Sequence, residues 1–381
     1  MIVTGLEIFI VNVPFTDPMA GSGRGGTTQV IVKLSCDNGL VGWGESAAQL
    51  SNATAIEGMI RHAAPLVVGR DPWDKEAIAA SFFRRGTAHR WTQHANFAYI
   101  GIDHALWDLC GKDCGKPVYQ LLGGALRDEV DHCYLLNPGT PKSIESQAKK
   151  ALGRGYGVFY LPCGRDTDNE RRMLEALRST LGPDGRIRID VNERWTIHQA
   201  IRLLVEWDRE YTIEFCEAPV PHDRPEGTAE VRRRVPCAIG VNECLDSETQ
   251  VLELARARCA DVYCFAPYWV GTMRRFVTLS HLIALEGMHV AKHTSGELGL
   301  SAAAGQHAAL CAPGLIDGNQ QQAVDLADDI LTEPVPIASG PKWGRIEGPG
   351  LGVEVDEEKV ARFHEAFQRD GQYLMPEFRG R

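Results

Sequence analysis

Three acidic residues recur at one interval along the chain. Asp190 closes the run Arg186-Ile187-Arg188-Ile189, Glu217 closes Ile213-Glu214-Phe215-Cys216, and Glu243 closes Ile239-Gly240-Val241-Asn242. They lie 27 and 26 residues apart, which is one strand-plus-helix unit each. If each run is a strand of a parallel barrel, all three carboxylates reach its C-terminal face, where barrel enzymes build their sites. Like charges gathered there repel unless a cation neutralises them. An all-oxygen donor set suits Mg²⁺, which keeps open positions for water or substrate oxygens. The competing reading is three unrelated acids at loop starts, a common place for Asp and Glu.

The elements that must position these residues show in the chain's texture. The first third is strand-like over 2–13 and 29–34, with a hairpin signal at Asp37-Asn38-Gly39. Helical spacing follows over 53–68 and 97–122, the second stretch closed by Gly123-Gly124. From about residue 130 short apolar strands alternate with amphipathic helices. Strand-like runs fall near 130–136, 157–162, 186–191, 212–217, 237–243, 261–266, 288–293 and 314–317. Eight such strands at this spacing predict a (β/α)8-type barrel. A doubly wound sheet is the alternative, but no Gly-rich phosphate loop follows its first strand.

Composition narrows the function. The chain has 381 residues, 44% hydrophobic and 24% charged, with a net charge of −10. That is ordinary globular composition with room for a large core. The densest basic run, Arg232-Arg233-Arg234, is too short for a nucleic-acid footprint and reads as a solvated helix face. Eleven cysteines are scattered without a C-x-x-C pair, so neither a disulfide framework nor a zinc site is expected. They read as small buried hydrophobes in a reducing compartment. No basic leader opens the N-terminus and no apolar run is long enough for a membrane span. A cytoplasmic protein without membrane or nucleic-acid partners is expected. Gly21-Ser22-Gly23-Arg24-Gly25-Gly26 fits G-x-G-x-x-G formally, yet it leads into a strand rather than a helix. It reads as a loop whose Arg24 reaches a ligand.

Further motifs carry a family resemblance. Asp190-Val191-Asn192, Glu217-Ala218-Pro219 and Asn242-Glu243 resemble the three metal-ligand motifs of the enolase superfamily. Residues 105–112, Ala-Leu-Trp-Asp-Leu-Cys-Gly-Lys, followed by Leu121-Leu122-Gly123-Gly124, resemble the helix closing that family's N-terminal domain. Gly348-Pro349-Gly350-Leu351-Gly352-Val353 resembles its C-terminal return. The nearest subgroup in pattern is the mandelate racemase-type and acid-sugar dehydratase enzymes. The resemblance implies an α+β capping domain over 1–126, completed by 326–381, above a barrel spanning 127–325. It also implies Mg²⁺ on Asp190, Glu217 and Glu243, a small-molecule carboxylate substrate, and a homo-oligomer.

In that family the α-proton of a carboxylate is removed to give an enediolate, with a Lys or His base and Mg²⁺. The acid/base positions are where this chain departs. The Lys-x-Lys at the end of the family's second barrel strand reads Tyr160 and Pro162 here. Tyr160 moves a proton only if a cation lowers its pKa; otherwise it packs or orients substrate. His293, 50 residues beyond Glu243, matches the catalytic histidine of strand seven. The aspartate that orients this ring is replaced by Ala266, so another group must set its tautomer. Lys292 should point away from the side His293 faces. Asn192 faces as Asp190 does, and either reaches a substrate oxygen or supports the metal ligands. Glu297 either binds substrate polar groups or caps the next helix. One conventional proton-transfer group suits a lyase that eliminates water from a hydroxy (sugar-acid) carboxylate. A racemase, epimerase or cycloisomerase would need Tyr160 opposite His293. A catalytically reduced metal- and carboxylate-binding protein is the third reading.

Overall fold

The computed structural model describes residues 1–17, 23–84, 90–335 and 340–374. Strands β1 (Val3–Pro14), β2 (Gly26–Cys36) and β3 (Val41–Ser46) form an antiparallel sheet in sequential order. Helices α1 (Ala53–Val67), α2 (Lys75–Phe83) and α3 (Thr92–Cys114) cover it. Strand β3 presses on α3 so closely that a Cβ on Gly44 would sit 1.9 Å from the Gly101 carbonyl oxygen. This close approach needs glycine on both partners and explains why most of α3 is buried. The expected helix over 97–122 begins at Thr92 and stops at Gly115, which takes the left-handed conformation (φ 67°). Pro117 then opens a short α4 (Val118–Leu121).

The second half alternates strand and helix. Strands β4 (Val130–Asp131) and β5 (Tyr134–Leu135) come first, followed by α5 (Pro141–Leu152), β6 (Val158–Pro162) and α6 (Thr167–Leu181). Next come β7 (Arg186–Asp190), α7 (Ile197–Tyr211), β8 (Ile213–Glu217), α8 (Pro225–Arg234) and β9 (Ala238–Val241). The series ends with α9 (Glu248–Ala257), β10 (Val262–Phe265), α10 (Pro267–Val270), α11 (Met273–Leu285), β11 (His289–Lys292) and α12 (Gly299–Cys311). Strands β5 to β11 pair in chain order, all parallel. Residues 314–319 complete the circle, pairing singly through Leu315 with Val290 and through Asn319 with His132. A closed sequential order excludes the doubly wound alternative, whose strand order reverses at a switch point. The fold is a TIM-like barrel beneath an α+β capping domain.

Local chemistry sets the element boundaries. Helix α7 starts just past Asp190 with a capping box, in which Thr196 accepts from the Gln199 N–H and Gln199 returns to the Thr196 N–H. Its apolar face, with Leu203, Leu204 and Trp207, packs on Ile187, Ile189 and Ile239 of the barrel wall. The chain then returns over both units. Strand β12 (Lys342–Trp343) pairs with β4, and α13 (Glu357–Asp370) lies along β1, where His364 Nδ1 meets the Ile10 carbonyl at 2.8 Å. Among the described residues all cysteines are free, and only Cys114 is exposed. Among them, too, no helix is long and apolar enough to cross a membrane.

Candidate active site

The three carboxylates stand on neighbouring strand ends. Asp190 is the last residue of β7 and pairs in register with Glu217, the last of β8; Glu217 pairs with Gly240 on β9, three residues before Glu243. Burial acts on all three, and repulsion from neighbouring carboxylates adds to it at Glu217 and Glu243. Burial lifts Asp190 to about 6, against the N–H of Asn192 donating to its Oδ1 at 2.8 Å. Glu217, almost wholly buried, is pushed well above the carboxylate range by burial and then by the charges of Asp190 and Glu243. Glu243 rises to about 8 through burial and then the Asp190 charge.

Backbone geometry marks the same rim. Asn192 (φ 48°), Glu193 (φ 62°) and Ala218 (φ 43°) occupy the left-handed region directly after Asp190 and Glu217. Such conformations cost about 1–2 kcal/mol each for residues with a Cβ and gather at functional sites. Cross-strand bonds hold them: Glu193 N–H to the Ala218 carbonyl at 2.8 Å and Ala218 N–H to the Gly240 carbonyl at 3.0 Å.

A divalent cation fits this donor set. All three ligands are carboxylate oxygens, their like charges are unrelieved, and Glu243 Oε2 is a buried acceptor with no hydrogen-bond partner. As the side chains stand, no group of three His, Cys, Asp or Glu among the described residues is closed tightly enough to cage an ion. One reason is local. Glu217 Oε2 accepts the Tyr160 hydroxyl proton at 2.8 Å and a longer bond from Gln320 Nε2 at 3.4 Å. Burial and the Asp190 and Glu217 charges hold the Tyr160 phenol well above its ordinary range. Tyr160 is therefore a donor to a carboxylate in this arrangement, and Pro162 beside it has no proton to give.

The opposite side of the mouth is built around His293. Ala291, two residues earlier, packs inside the barrel with Phe215, Val262 and Cys264, which directs His293 to the same side. Its ring stacks on Trp269 at 5.7 Å and 13°, and its Nδ1 is hydrogen-bonded to the Tyr268 hydroxyl. Burial lowers its pKa to about 4, so the imidazole is neutral near pH 7. Lys292 points into the wall, close to Gly305 of α12, and pairs with Glu297 at 2.5 Å. Glu297 also accepts from Thr294 Oγ1 and from the Ser295 N–H at 3.1 Å.

The capping domain holds this loop from above. Thr27 Oγ1 donates to the Gly296 carbonyl at 2.7 Å, and Gln29 Nε2 reaches the Ser295 and Gly296 carbonyls at 3.2 and 2.9 Å. Glu45 accepts the Leu298 and Ser301 N–H groups at 2.8 and 2.9 Å.

The two domains have known counterparts. The family described as mandelate racemase / muconate lactonizing enzyme, N-terminal domain, matches residues 5–123. The enolase C-terminal domain-like family matches residues 143–359. The chain belongs to the enolase superfamily. Among its relatives, muconate cycloisomerase 1 of Rhodococcus opacus is 28% identical over 94% of this chain and 97% of its own. A D-galactonate dehydratase family member of Catenulispora acidiphila is 27% identical over 89% and 85%. An enolase from Streptomyces coelicolor, solved without magnesium, superimposes with a TM-score of 0.88 at 28% identity, covering 97% of this chain and 99% of that one. Members of this superfamily are enzymes, and Mg²⁺ is their usual metal.

Within the superfamily frame, the structure brings Asp190, Glu217 and Tyr160 into direct neighbourhood and places Glu243 and His293 on the same rim. Asn192 and Arg24 line one chamber of about 500 Å³ beside Asp190, together with Pro162. Glu297 is not brought to the mouth: its oxygens are occupied by Lys292, Thr294 and Ser295. Nor does it cap α12, because Glu45 and Asp329 take the N–H groups at that helix start. Two groups escaped sequence reasoning. Tyr268 lies two residues past Ala266, where the orienting aspartate was sought, and the spacing gave no signal for it. Gln320 comes from the irregular segment that closes the barrel.

Proposed function

We propose that the protein is a Mg²⁺-dependent lyase that removes the α-proton of a hydroxy (sugar-derived) carboxylate and eliminates water. The observation that carries this reading is the single proton-transfer group: a neutral His293 held by Tyr268, while the Tyr160 hydroxyl is already donated to Glu217. Asp190, Glu217 and Glu243 would hold the cation. When bound, Mg²⁺ supplies Lewis-acid stabilisation for the second negative charge that develops on the substrate carboxylate.

The chain's own residues supply the proton steps. In the tautomer whose Nδ1–H donates to the Tyr268 oxygen, His293 presents a bare Nε2 as the base. The Cα–H proton passes to Nε2 and its electron pair delocalises into the carboxylate. The pair then returns to form the Cα–Cβ double bond as the Cβ–O bond breaks, and the departing hydroxyl takes the proton back from Nε2 as water. One imidazole on one face serves both steps, so a syn elimination needs no second group. The enol product becomes a 2-keto-3-deoxy acid in solution.

Epimerisation or cycloisomerisation is the second reading, favoured by the cycloisomerase among the relatives. It requires a proton donor or acceptor opposite His293. Tyr160 faces that role with its pKa raised and its proton bonded to Glu217.

The test is mass spectrometry of a sugar-acid and hydroxy-acid panel incubated with Mg²⁺ in D₂O, with wild type and His293→Asn. Loss of water from one or more substrates, with a solvent deuteron gained at C3 on ketonisation and both abolished in the variant, supports the lyase. Deuterium gain at Cα without water loss replaces it with the epimerase. Ligand stabilisation without any turnover favours the binding-protein reading.

A further inference from the structure

A base at His293 becomes an imidazolium when it takes a proton, and it must do so in a buried site. Burial already lowers its pKa to about 4, because it disfavours the charged ring. Among the described residues no carboxylate is hydrogen-bonded to that ring. Ala266 offers no charge, and the Tyr268 phenol on Nδ1, held by burial well above its ordinary range, stays neutral. Lys292 and Glu297 act on the ring in opposite senses and are joined to each other. The developing charge needs another partner.

Trp269 lies flat on the ring, with centroids 5.7 Å apart and planes 13° apart. Indole offers a cation the strongest π face of any side chain, with a reach of about 6 Å. The indole is itself fixed from both domains. Phe97 of α3 stacks on it at 5.2 Å and 14°, and the neighbouring Asn96 donates from Nδ2 to the Trp269 carbonyl at 2.7 Å. From the barrel, the Asn242 carbonyl accepts the Trp269 Nε1–H at 2.8 Å, and Asn242 directly precedes Glu243. A leucine would pack in this place, but it would offer the imidazolium no attraction.

We propose that Trp269 is a positioning residue whose π face stabilises the His293 imidazolium in place of a carboxylate, with its plane set by Asn96 and Phe97 of the capping domain and by Asn242 beside the metal ligands. This rests on His293 being the group that takes the proton, and it holds for elimination and epimerisation alike.

Mono-, di- and trifluorotryptophan placed at position 269 keep the indole shape and its N–H while weakening the π face stepwise. In the Mg²⁺-loaded enzyme, on a substrate identified by the mass-spectrometric panel, kcat should fall with each fluorine, to about one tenth for the trifluoro ring. KM should change by less than about twofold, since the charge forms only after substrate has bound. Trp269→Phe should keep part of the rate that Trp269→Leu loses. Without substrate, NMR of isotope-labelled histidine should show the His293 protonation midpoint dropping by about one pH unit over the same series. A flat kcat and a flat midpoint across the series overturn the proposal even where Trp269→Leu is impaired, because packing alone then explains that loss. With an inactive His293→Asn, such a flat series removes this proposal and leaves the proton-transfer reading standing. Turnover that survives in His293→Asn removes both.

Discussion

The two sides of the barrel mouth are built on opposite principles. The carboxylate side, at the ends of β7, β8 and β9, is frustrated: three acids repel, one buried oxygen lacks a partner, and left-handed backbone follows two of the ligands. The histidine side, at the end of β11, is satisfied: Lys292 has Glu297, His293 has Tyr268 and Trp269, and the loop above is pinned by Thr27, Gln29 and Glu45. The contrast indicates which side awaits a charged ligand and which is set in advance. A cation relieves the first side, whereas a base needs one fixed ring in one tautomer.

The largest effect should come from the frustrated side. Glu217→Gln removes a ligand charge, and we expect Mg²⁺ binding to vanish in calorimetry and kcat/KM to fall on the order of 1,000-fold. The same change relieves repulsion on Asp190, so the metal-free protein should be no less stable to urea. Unchanged Mg²⁺ affinity would break the comparison at its root.

On the satisfied side the largest effect should be structural. Lys292→Met leaves Glu297 charged, buried and without its cation, and urea denaturation should show a loss of about 3–5 kcal/mol. A loss under about 1 kcal/mol would mean the pair is not closed in solution.

Tyr268→Phe tests the orientation of His293 more finely. Loss of the partner on Nδ1 should lower kcat about 10- to 100-fold with little change in KM. In wild type at saturating Mg²⁺, which keeps the three carboxylates ionised, kcat/KM should stay flat from pH 8 to about 5. Burial lowers the His293 pKa to about 4, so the base is neutral above that value and is lost by protonation only as pH falls through it. An acid limb centred near 6.5 would place the ring in water instead. The smallest effect is expected from Gln29→Ala, which frees the Ser295 carbonyl and leaves the Gly296 carbonyl to Thr27. Stability should drop by about 1 kcal/mol, with kcat falling more than substrate binding.

The same contrast explains what the sequence revealed. The carboxylate side was legible because Asp190 and Glu217 close their strands and Glu243 follows β9 by two residues, and repetition of the unit turns spacing along the chain into proximity in space. The barrel was legible for the same reason, including the last position, which the structure closes only by single pairings at Leu315 and Asn319. On the histidine side the sequence pointed to His293 and to the outward turn of Lys292, but not to the groups that hold them. Tyr268 comes from a four-residue helix, Gln29 and Glu45 from the capping sheet, and Gln320 from an irregular segment. None repeats, so their convergence depends on tertiary packing. Glu297 misled for a related reason: nothing in its local sequence shows that Lys292 turns back to meet it.

The central claim is that one residue, His293, moves the proton while Tyr160 serves Glu217. Water loss, followed by NMR at saturating Mg²⁺ on a substrate that the mass-spectrometric panel identifies, compares the two directly. His293→Asn should abolish water loss, and Tyr160→Phe should retain it within about tenfold, with weaker Mg²⁺ binding. Water loss surviving in His293→Asn, or lost in Tyr160→Phe at full Mg²⁺ occupancy, would contradict this assignment.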